Sequence, residues 1–129
     1  MSKILLAEDD VDMRRFLVKA LQNAGFDVIS YDNGLSAYQR LREEPFEMLL
    51  TDIVMPEMDG IETLRQLRVL DPEARVIAMS GGGNDKYPNP LTLAKELGVI
   101  ATLEKPFRRQ QLRDAVDRVL AREISEVRL

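Results

Sequence analysis

Residues 3–31 read KILLAEDDVDMRRFLVKALQNAGFDVISY. The segment begins with a short apolar run, Lys3–Ala7, and ends with a second one, Asp27–Tyr31. Between the two runs, apolar residues recur every three or four positions, which predicts a helix with one buried face, and Gly25 supplies a stop signal. A strand, a helix and a second strand in this order predict parallel neighbouring strands, because a parallel pair needs a crossover connection.

The same alternation of short apolar runs and helical patterns continues along the rest of the chain. Three further runs are Met48–Thr51, Arg75–Met79 and Val99–Leu103. The helical patterns lie over residues 34–43, 60–70, 90–97 and 112–120. Five strand–helix units predict an α/β fold with an open five-stranded parallel sheet and helices on both faces, since a closed barrel would need about eight units.

The composition excludes several classes of site and partner. The 129 residues contain neither cysteine nor histidine, which rules out disulfides, thiolate or imidazole metal ligands and serine–histidine triads. A net charge of −4 disfavours non-specific nucleic-acid binding, and no apolar run approaches the roughly 20 residues of a membrane-spanning helix. We therefore expect a cytoplasmic protein without direct nucleic-acid or membrane contact, with one domain over residues 1–122 and a short tail over 123–129.

Charged and hydroxyl side chains cluster directly after the predicted strands. They are Glu8, Asp9 and Asp10 after the first strand, Asp52 after the third, Ser80 with Gly81–Gly83 after the fourth, and Glu104, Lys105 and Pro106 after the fifth. In open parallel sheets, ligands bind beyond the carboxyl ends of the strands, where the strand order reverses. We therefore expect these side chains to converge at one edge of the sheet.

The acidic residues at this edge predict a magnesium site. Carboxylates that lie close together repel each other and raise one another's pKa values unless a cation joins them. Oxygen ligands without histidine or thiolate favour Mg²⁺. Asp9 and Asp10 alone are more typical of a helix N-cap than of a metal site, but Asp52 ends an apolar strand, where a charge without a partner is costly.

A lysine and a serine add groups that can contact an anion. Lys105 precedes Pro106 and Phe107, and a cis Lys105–Pro106 bond would turn the chain sharply and direct the ammonium inward. Lysine is nevertheless most often a surface residue. Ser80 is followed by Gly81–Gly83, whose backbone amides can approach an anion closely, although a flexible loop is an equally good interpretation.

Together these motifs resemble a response-regulator receiver domain. The resemblance rests on Asp9-Asp10, on Asp52 within TDIVMPEMDG, on Ser80 and on Lys105-Pro106-Phe107, and it covers residues 3–122. It implies the flavodoxin-like receiver fold of five βα units with strand order 2-1-3-4-5. It also implies a stand-alone, single-domain response regulator of a two-component phosphorelay.

By this resemblance, Asp52 is the phosphoacceptor and takes a phosphoryl group from a phosphohistidine. The donor would be a sensor histidine kinase or a histidine phosphotransfer protein, and the output would pass to a downstream protein partner. The chain would act as a phosphoacceptor rather than as a turnover enzyme, and it would be a monomer or a weak dimer.

The resemblance also assigns the cofactor and its ligands. Mg²⁺ would be held by Asp10, Asp52 and the backbone carbonyl of Val54, with Asp9 acting through water. Phosphoryl transfer needs mainly positioning and charge neutralisation, which a divalent cation at this place would supply.

Three further residues are assigned to the phosphoryl group itself. Lys105 would pair with the phosphoryl oxygens, and Ser80 would donate a hydrogen bond to one of them. Gly81 would belong to the loop that contacts the phosphate.

Two features depart from the usual receiver pattern. The position three residues before Lys105, which usually carries an aromatic switch residue, is Thr102. The spacing from Ser80 to Lys105 is longer than usual, and the extra length falls in residues 81–90, which are rich in glycine and proline. We therefore expect a short, displaced or mobile fourth helix, and we hypothesise that ordering of residues 81–92 replaces the aromatic switch.

Two alternative functions remain open on the sequence. A haloacid-dehalogenase-type phosphatase also uses an aspartate nucleophile, a serine or threonine, a lysine and Mg²⁺, but the position of its general acid, two residues after Asp52, is Val54. A flavodoxin-like binding module could use Ser80–Gly83 as a phosphate cradle. Its acidic neighbours would repel a flavin phosphate, and the chain has no tryptophan to stack on the ring.

Overall fold

The structure is a computed structural model that describes residues 2–55, 57–83 and 85–128, of which residues 122–128 are described by their backbone alone. Strands and helices alternate throughout this part of the chain. In order, they are β1 Lys3–Ala7, α1 Val11–Asn23, β2 Asp27–Tyr31, α2 Gly34–Glu43, β3 Met48–Asp52, α3 Gly60–Leu70, β4 Val76–Ser80, α4 Pro90–Glu96, β5 Ala101–Glu104 and α5 Arg109–Arg128.

The strands form one parallel sheet in the order β2-β1-β3-β4-β5, which confirms the predicted fold class. Leu5 of β1 lies opposite Ile29 of β2 on one side and Leu49 of β3 on the other. The chain therefore winds outward in one direction from β1 to β2 and in the other direction from β3 to β5. The carboxyl ends of β1 and β3 meet where this reversal occurs, which is the place where such sheets bind ligands.

Helices cover both faces of the sheet, as predicted. Alternate residues of a strand point to opposite faces, so Ile4 and Leu6 of β1 belong to the apolar cluster with α1 and α5, whereas Leu5 belongs to the cluster with α2, α3 and α4. All three side chains are 0% exposed. Burying a side chain of this size stabilises the fold by about 1.5–3 kcal/mol.

Strand boundaries differ from the prediction by one or two residues. Asp52 and Ser80 are the last residues of β3 and β4 rather than the first residues after them, and β5 begins at Ala101. The reason is pairing, because Asp52 lies opposite Met79 and Ser80 lies opposite Glu104 in the ladder. Apolar patterning marks which residues are buried, but it does not mark where the neighbouring strand ends.

Helix α5 runs from Arg109 to Arg128 and so crosses the boundary predicted at residue 122. Residues 123–128, which the sequence assigns to a short tail, continue this helix, and residue 129 lies outside the described residues. The segment AREISEVR contains neither proline nor glycine, so nothing in it stops a helix. Within the described part of the chain, no helix combines the length and the apolar character that crossing a membrane requires.

Arg68 joins the C-terminal end of α3 to that of α4. Its Nε donates to the carbonyl oxygen of Leu97 at 2.8 Å, and its Nη2 donates to that of Gly98 at 2.9 Å. Its Nη1 donates to the carbonyl oxygen of Ala74, just before β4, at 2.7 Å. The guanidinium therefore satisfies backbone acceptors from two separate segments at the end of the sheet opposite the carboxyl ends of the strands.

We predict that Arg68→Lys lowers the free energy of unfolding by about 2 kcal/mol, because a single ammonium cannot reproduce the fork of donors and leaves carbonyl groups without partners. Urea unfolding measures the change. Arg65→Lys, at an exposed position of the same helix, is the matched control and should change the stability by less than about 0.5 kcal/mol. Equal effects of the two substitutions would contradict the assigned role of Arg68.

Candidate functional site

Three carboxylates converge at the carboxyl edge of the sheet. Glu8, Asp9 and Asp52 each place one carboxylate oxygen within 4.8 Å of the other two. Glu8 is 0% and Asp52 is 6% exposed, whereas Asp9 faces solvent. Glu8 and Asp9 follow β1 directly and Asp52 ends the neighbouring β3, so the parallel pairing of the two strands brings the three side chains together.

Lys105 supplies the positive charge of the site. It follows β5, and its Nζ donates to Asp52 Oδ2 at 2.7 Å and forms an ion pair with Glu8 Oε1. The lysine side chain is 17% exposed, so it is not the surface residue that the alternative interpretation of the sequence considered. Its aliphatic part lies against Gly81, where an added Cβ would be 3.8 Å from the lysine Cβ and Cδ. The Lys105–Pro106 peptide bond is cis.

Burial and charge pairing perturb both partners of this contact. Burial raises the pKa of Glu8 to about 7, and repulsion from Asp52 adds to this, while the hydrogen bond from Lys105 acts in the opposite direction. Burial disfavours the charged form of Lys105, but its hydrogen bonds to Asp52 and Glu8 outweigh this and raise the pKa of Lys105 above its ordinary value. The site therefore holds more negative charge than one lysine neutralises.

We predict that Glu8→Gln flattens the pH dependence of stability. The pKa of Glu8 is 4.5 in an unfolded chain and about 7 in the folded protein, so folding takes up a proton between these values. The stability that the protonated carboxyl contributes is fully present below the lower value and is lost as the pH rises to the upper one. Between about pH 5 and pH 7.5, the free energy of unfolding should fall by about 2 kcal/mol more in the wild type than in Glu8→Gln.

Urea unfolding at several pH values without divalent cations measures this difference. The exposed Glu96→Gln on α4 is the matched control and should behave as the wild type does. Equal pH slopes for the wild type and Glu8→Gln would contradict the raised pKa of Glu8.

Asp10 lies outside the carboxylate group and serves as the N-cap of α1. Its Oδ1 accepts a hydrogen bond from the amide of Met13 at 2.8 Å. The structure therefore groups Glu8 with Asp9 and Asp52, whereas the sequence led us to expect Asp10 among the metal ligands. Because α1 begins at Val11, Asp10 occupies the capping position, and the buried residue that directly follows β1 is Glu8. The signal in the sequence was the start of α1, because the residue directly before a helix is its N-cap, which separates the capping Asp10 from the buried Glu8.

The hydroxyl of Ser80 is held within its own loop. Ser80 is 2% exposed; its Oγ donates to the carbonyl oxygen of Gly82 at 2.9 Å and accepts from the Gly82 amide at 3.1 Å. Gly82 has a φ of +143°, which strains any residue other than glycine. Ser80 thus ends β4 between β3 and β5, but its side chain is bonded to the loop rather than to Asp52 or Lys105.

Val54 and Thr102 complete the set of residues singled out by sequence. The amide of Val54 donates to Asp52 Oδ1 at 3.3 Å, and its side chain is 37% exposed. Thr102 is partly buried on β5, opposite Ala78. The four residues of β5, ATLE, include no aromatic side chain.

Comparison with known proteins relates the chain to signalling proteins. Residues 4–117 match the response regulator receiver domain family. Response regulator receiver protein CpdR of Brucella abortus is 50% identical over 120 residues, which cover 93% of this chain and 98% of that protein. Chemotaxis protein CheY of Bacillus subtilis is 30% identical over 119 residues, which cover 92% and 97%.

A solved structure shows the same fold. The receiver domain of a sensor histidine kinase from Pseudomonas aeruginosa superposes with a TM-score of 0.82 over 93% of this chain and 98% of that chain, at 22% identity. That structure contains a magnesium ion coordinated in its active-site cleft. These similarities do not favour the phosphatase or the flavodoxin-like alternative. With its five parallel strands and with family similarity along nearly its whole length, the chain belongs to the receiver domains of two-component response regulators.

Proposed function

We propose that Asp52 accepts a phosphoryl group from a phosphohistidine of a partner histidine kinase or histidine phosphotransfer protein. The observation that carries this proposal is the contact of a buried aspartate at the end of β3 with Lys105 and with two further carboxylates. A carboxylate oxygen of Asp52 forms a bond to phosphorus, while the bond between phosphorus and the imidazole nitrogen breaks and its electron pair stays with the nitrogen. The product is an acyl phosphate on Asp52.

The two oxygens of Asp52 have different partners, which supports different roles for them. Oδ2 accepts a charge-assisted hydrogen bond from Lys105 at 2.7 Å, whereas Oδ1 accepts a longer one, 3.3 Å, from the amide of Val54. The more weakly held Oδ1 is the oxygen that attacks. Lys105 stays within reach of the reacting group and offsets the negative charge that the phosphoryl group brings.

The donor set of the site fits a Mg²⁺ ion. Glu8, Asp9 and Asp52 offer three carboxylate oxygens close together, which are the hard ligands that Mg²⁺ prefers, and the exposed Asp9 opens the group to solvent. A bound Mg²⁺ supplies charge neutralisation for the phosphoryl oxygens. We therefore assign Glu8, Asp9 and Asp52 to the cation, with the carbonyl group of Val54 as an additional ligand.

Phosphorylation changes the hydrogen bonding of Ser80. In the unphosphorylated protein, the Ser80 hydroxyl donates to the carbonyl oxygen of Gly82. A phosphoryl oxygen on Asp52 is a stronger acceptor because it carries charge. Exchange of this bond alters the loop between β4 and α4, and a downstream protein partner recognises the altered surface. The chain signals in this way as a monomer or weak dimer, with one phosphoryl group per molecule and no turnover.

Acetyl phosphate with Mg²⁺ tests the proposal without a partner kinase. Intact mass spectrometry should show the addition of a single phosphoryl group, and removal of Mg²⁺ by a chelator should suppress it. Continuous release of phosphate from a generic phosphomonoester would favour the phosphatase alternative. A folded protein that gains no phosphoryl group at any acetyl phosphate concentration would contradict the proposal.

A further inference from the structure

Tyr87 is a buried aromatic side chain in a loop whose other described residues are exposed. This loop joins β4 to α4, and residues 81–83, 85–86 and 88–89 face solvent, whereas Tyr87 is only 7% exposed. The ring belongs to the apolar cluster that also contains Met55, from the loop after β3, and Ile61 of α3. Burial of so large an apolar surface holds the β4–α4 loop against the β3–α3 loop.

The polar end of Tyr87 reaches the start of α3. Its hydroxyl donates to Asp59 Oδ1 at 3.4 Å, and the same oxygen accepts the amide of Glu62 as the N-cap of α3. The neighbouring Lys86 places its Nζ 3.6 Å from Asp59 Oδ2 and 5.2 Å from the centre of the tyrosine ring. Two consecutive residues of the β4–α4 loop therefore bind the aspartate that begins α3.

The start of α3 is in turn braced against the backbone of the phosphoacceptor. The amide of Gly60 donates to the carbonyl oxygen of Ile53 at 2.7 Å. A Cβ at Gly60 would lie 2.2 Å from the carbonyl oxygen of Asp52, so the helix approaches this strand end as closely as glycine allows. Asp59 therefore directly precedes the residue at which α3 packs against the backbone of Asp52 and Ile53.

The backbone of Tyr87 lies against Gly83, which belongs to the same β4–α4 loop and is close to Ser80 in sequence. A Cβ at Gly83 would lie 2.8 Å from the carbonyl oxygen of Tyr87 and 2.2 Å from that of Pro88. Gly83 follows Gly82, whose amide and carbonyl groups both bond to the Ser80 hydroxyl. The backbone of Tyr87 thus supports the segment that holds Ser80, while its side chain supports the segment after Asp52.

We propose that Tyr87 is a positioning residue of the phosphoacceptor site, which sets the place of Ser80 relative to Asp52 and transmits the release of Ser80 from Gly82 to α3 and α4. The inference rests on the proposed function, since it presupposes phosphorylation of Asp52. β5 carries no aromatic side chain, and the β4–α4 loop contributes one that bridges the two loops flanking the site.

Two substitutions separate the ring of Tyr87 from its hydroxyl. Tyr87→Leu removes both, and Tyr87→Phe removes only the hydrogen bond to Asp59. At saturating acetyl phosphate and Mg²⁺, the phosphorylation rate should fall about tenfold in Tyr87→Leu and about threefold in Tyr87→Phe, with the apparent KM for acetyl phosphate within about twofold of the wild type. Tyr38→Leu, at a partly buried tyrosine of α2, is the matched control.

Amide chemical shifts with beryllofluoride and Mg²⁺ give a readout that a merely structural role would not change. In the wild type and in Tyr38→Leu, the mimic should shift the amides of Gly82, Gly60 and α4 together. In Tyr87→Leu, Gly82 should still shift, whereas Gly60 and α4 should lose at least half of their shift. If Tyr87→Leu does not fold, the threefold lower phosphorylation rate expected for Tyr87→Phe decides.

The possible outcomes distinguish this inference from the proposed function. Wild-type rates and shifts in both Tyr87 variants would overturn the role of Tyr87 and leave phosphorylation of Asp52 intact. A wild-type protein that takes no phosphoryl group and does not respond to beryllofluoride would overturn both. A lower melting temperature in Tyr87→Leu with unchanged rates and shifts would mark Tyr87 as a packing residue and overturn the inference.

Discussion

Asp52→Asn gains no phosphoryl group from acetyl phosphate under conditions in which the wild type is fully phosphorylated. The amide keeps the size and most of the shape of the carboxylate, but it lacks the anionic oxygen that attacks phosphorus. The substitution also removes the negative charge of one of the two carboxylates that pair with the Lys105 ammonium. Because the nucleophile itself is missing, the expected loss is complete rather than partial.

Intact mass spectrometry of the two proteins at equal exposure to acetyl phosphate and Mg²⁺ measures this loss. Asp117→Asn, at an exposed position of α5, removes an equal charge far along the chain and should be phosphorylated as the wild type is. A phosphorylated Asp52→Asn protein would show that the acceptor is another residue, and peptide mapping would then identify it.

The second large effect that we expect is a loss of stability in Lys105→Met. The ammonium pairs with Asp52 and Glu8, and removing it leaves two buried carboxylates without a cation. Breaking a buried ion pair on one side typically costs about 3–5 kcal/mol. The lysine side chain is 17% exposed, so we expect a loss of about 3 kcal/mol in the free energy of unfolding near neutral pH without divalent cations.

The size of this loss should depend on protons and on Mg²⁺. At about pH 5 the loss should be smaller, because Glu8, with a pKa of about 7, already carries a proton. Mg²⁺ should also reduce it, since a cation among the carboxylates replaces part of the missing charge. Urea unfolding at two pH values, with and without Mg²⁺, measures both effects.

Lys95→Met, at an exposed position of α4, is the matched control and should leave the stability nearly unchanged. A Lys105→Met protein whose stability loss depends on neither pH nor Mg²⁺ would contradict the assigned pairing, since the loss would then reflect packing alone.

Local patterns predicted the fold because buried parallel strands are nearly continuous apolar runs and surface helices repeat every three to four residues. The runs at Lys3–Ala7 and Asp27–Tyr31 coincide with β1 and β2. The later strands shifted by one or two residues, because hydrogen bonding to the neighbouring strand sets where β3, β4 and β5 end.

The candidate site could be predicted only in part. Asp52 and Lys105 were placed together correctly, because both follow or end strands of one parallel sheet and the carboxyl ends of such strands share an edge. The sequence led us to expect Asp10 beside Asp9 and Asp52, whereas the structure groups Glu8 with them, because three consecutive acidic residues look alike in the sequence. Their roles separate only when the end of β1 and the start of α1 are known to the residue.

Tyr87 shows what patterning does not contain. Its surroundings, NDKYPNP, read as a polar turn with two prolines, in which a tyrosine is unremarkable. Its ring lies in one apolar cluster with Met55 and Ile61, and its hydroxyl bonds to Asp59, all from a loop and helix that are separated from it in sequence by β4.

The order of apolar runs and helical repeats was sufficient by itself for the βα alternation, the parallel sheet and the edge at which Asp52 and Lys105 meet. Those features follow from which residues avoid water and from the short reach of each connection, and both are written locally in the chain. The tertiary structure decided which acid faces the site, where the Ser80 hydroxyl is bonded and why Tyr87 is buried. These depend on packing between segments distant in sequence, and no local pattern encodes that packing.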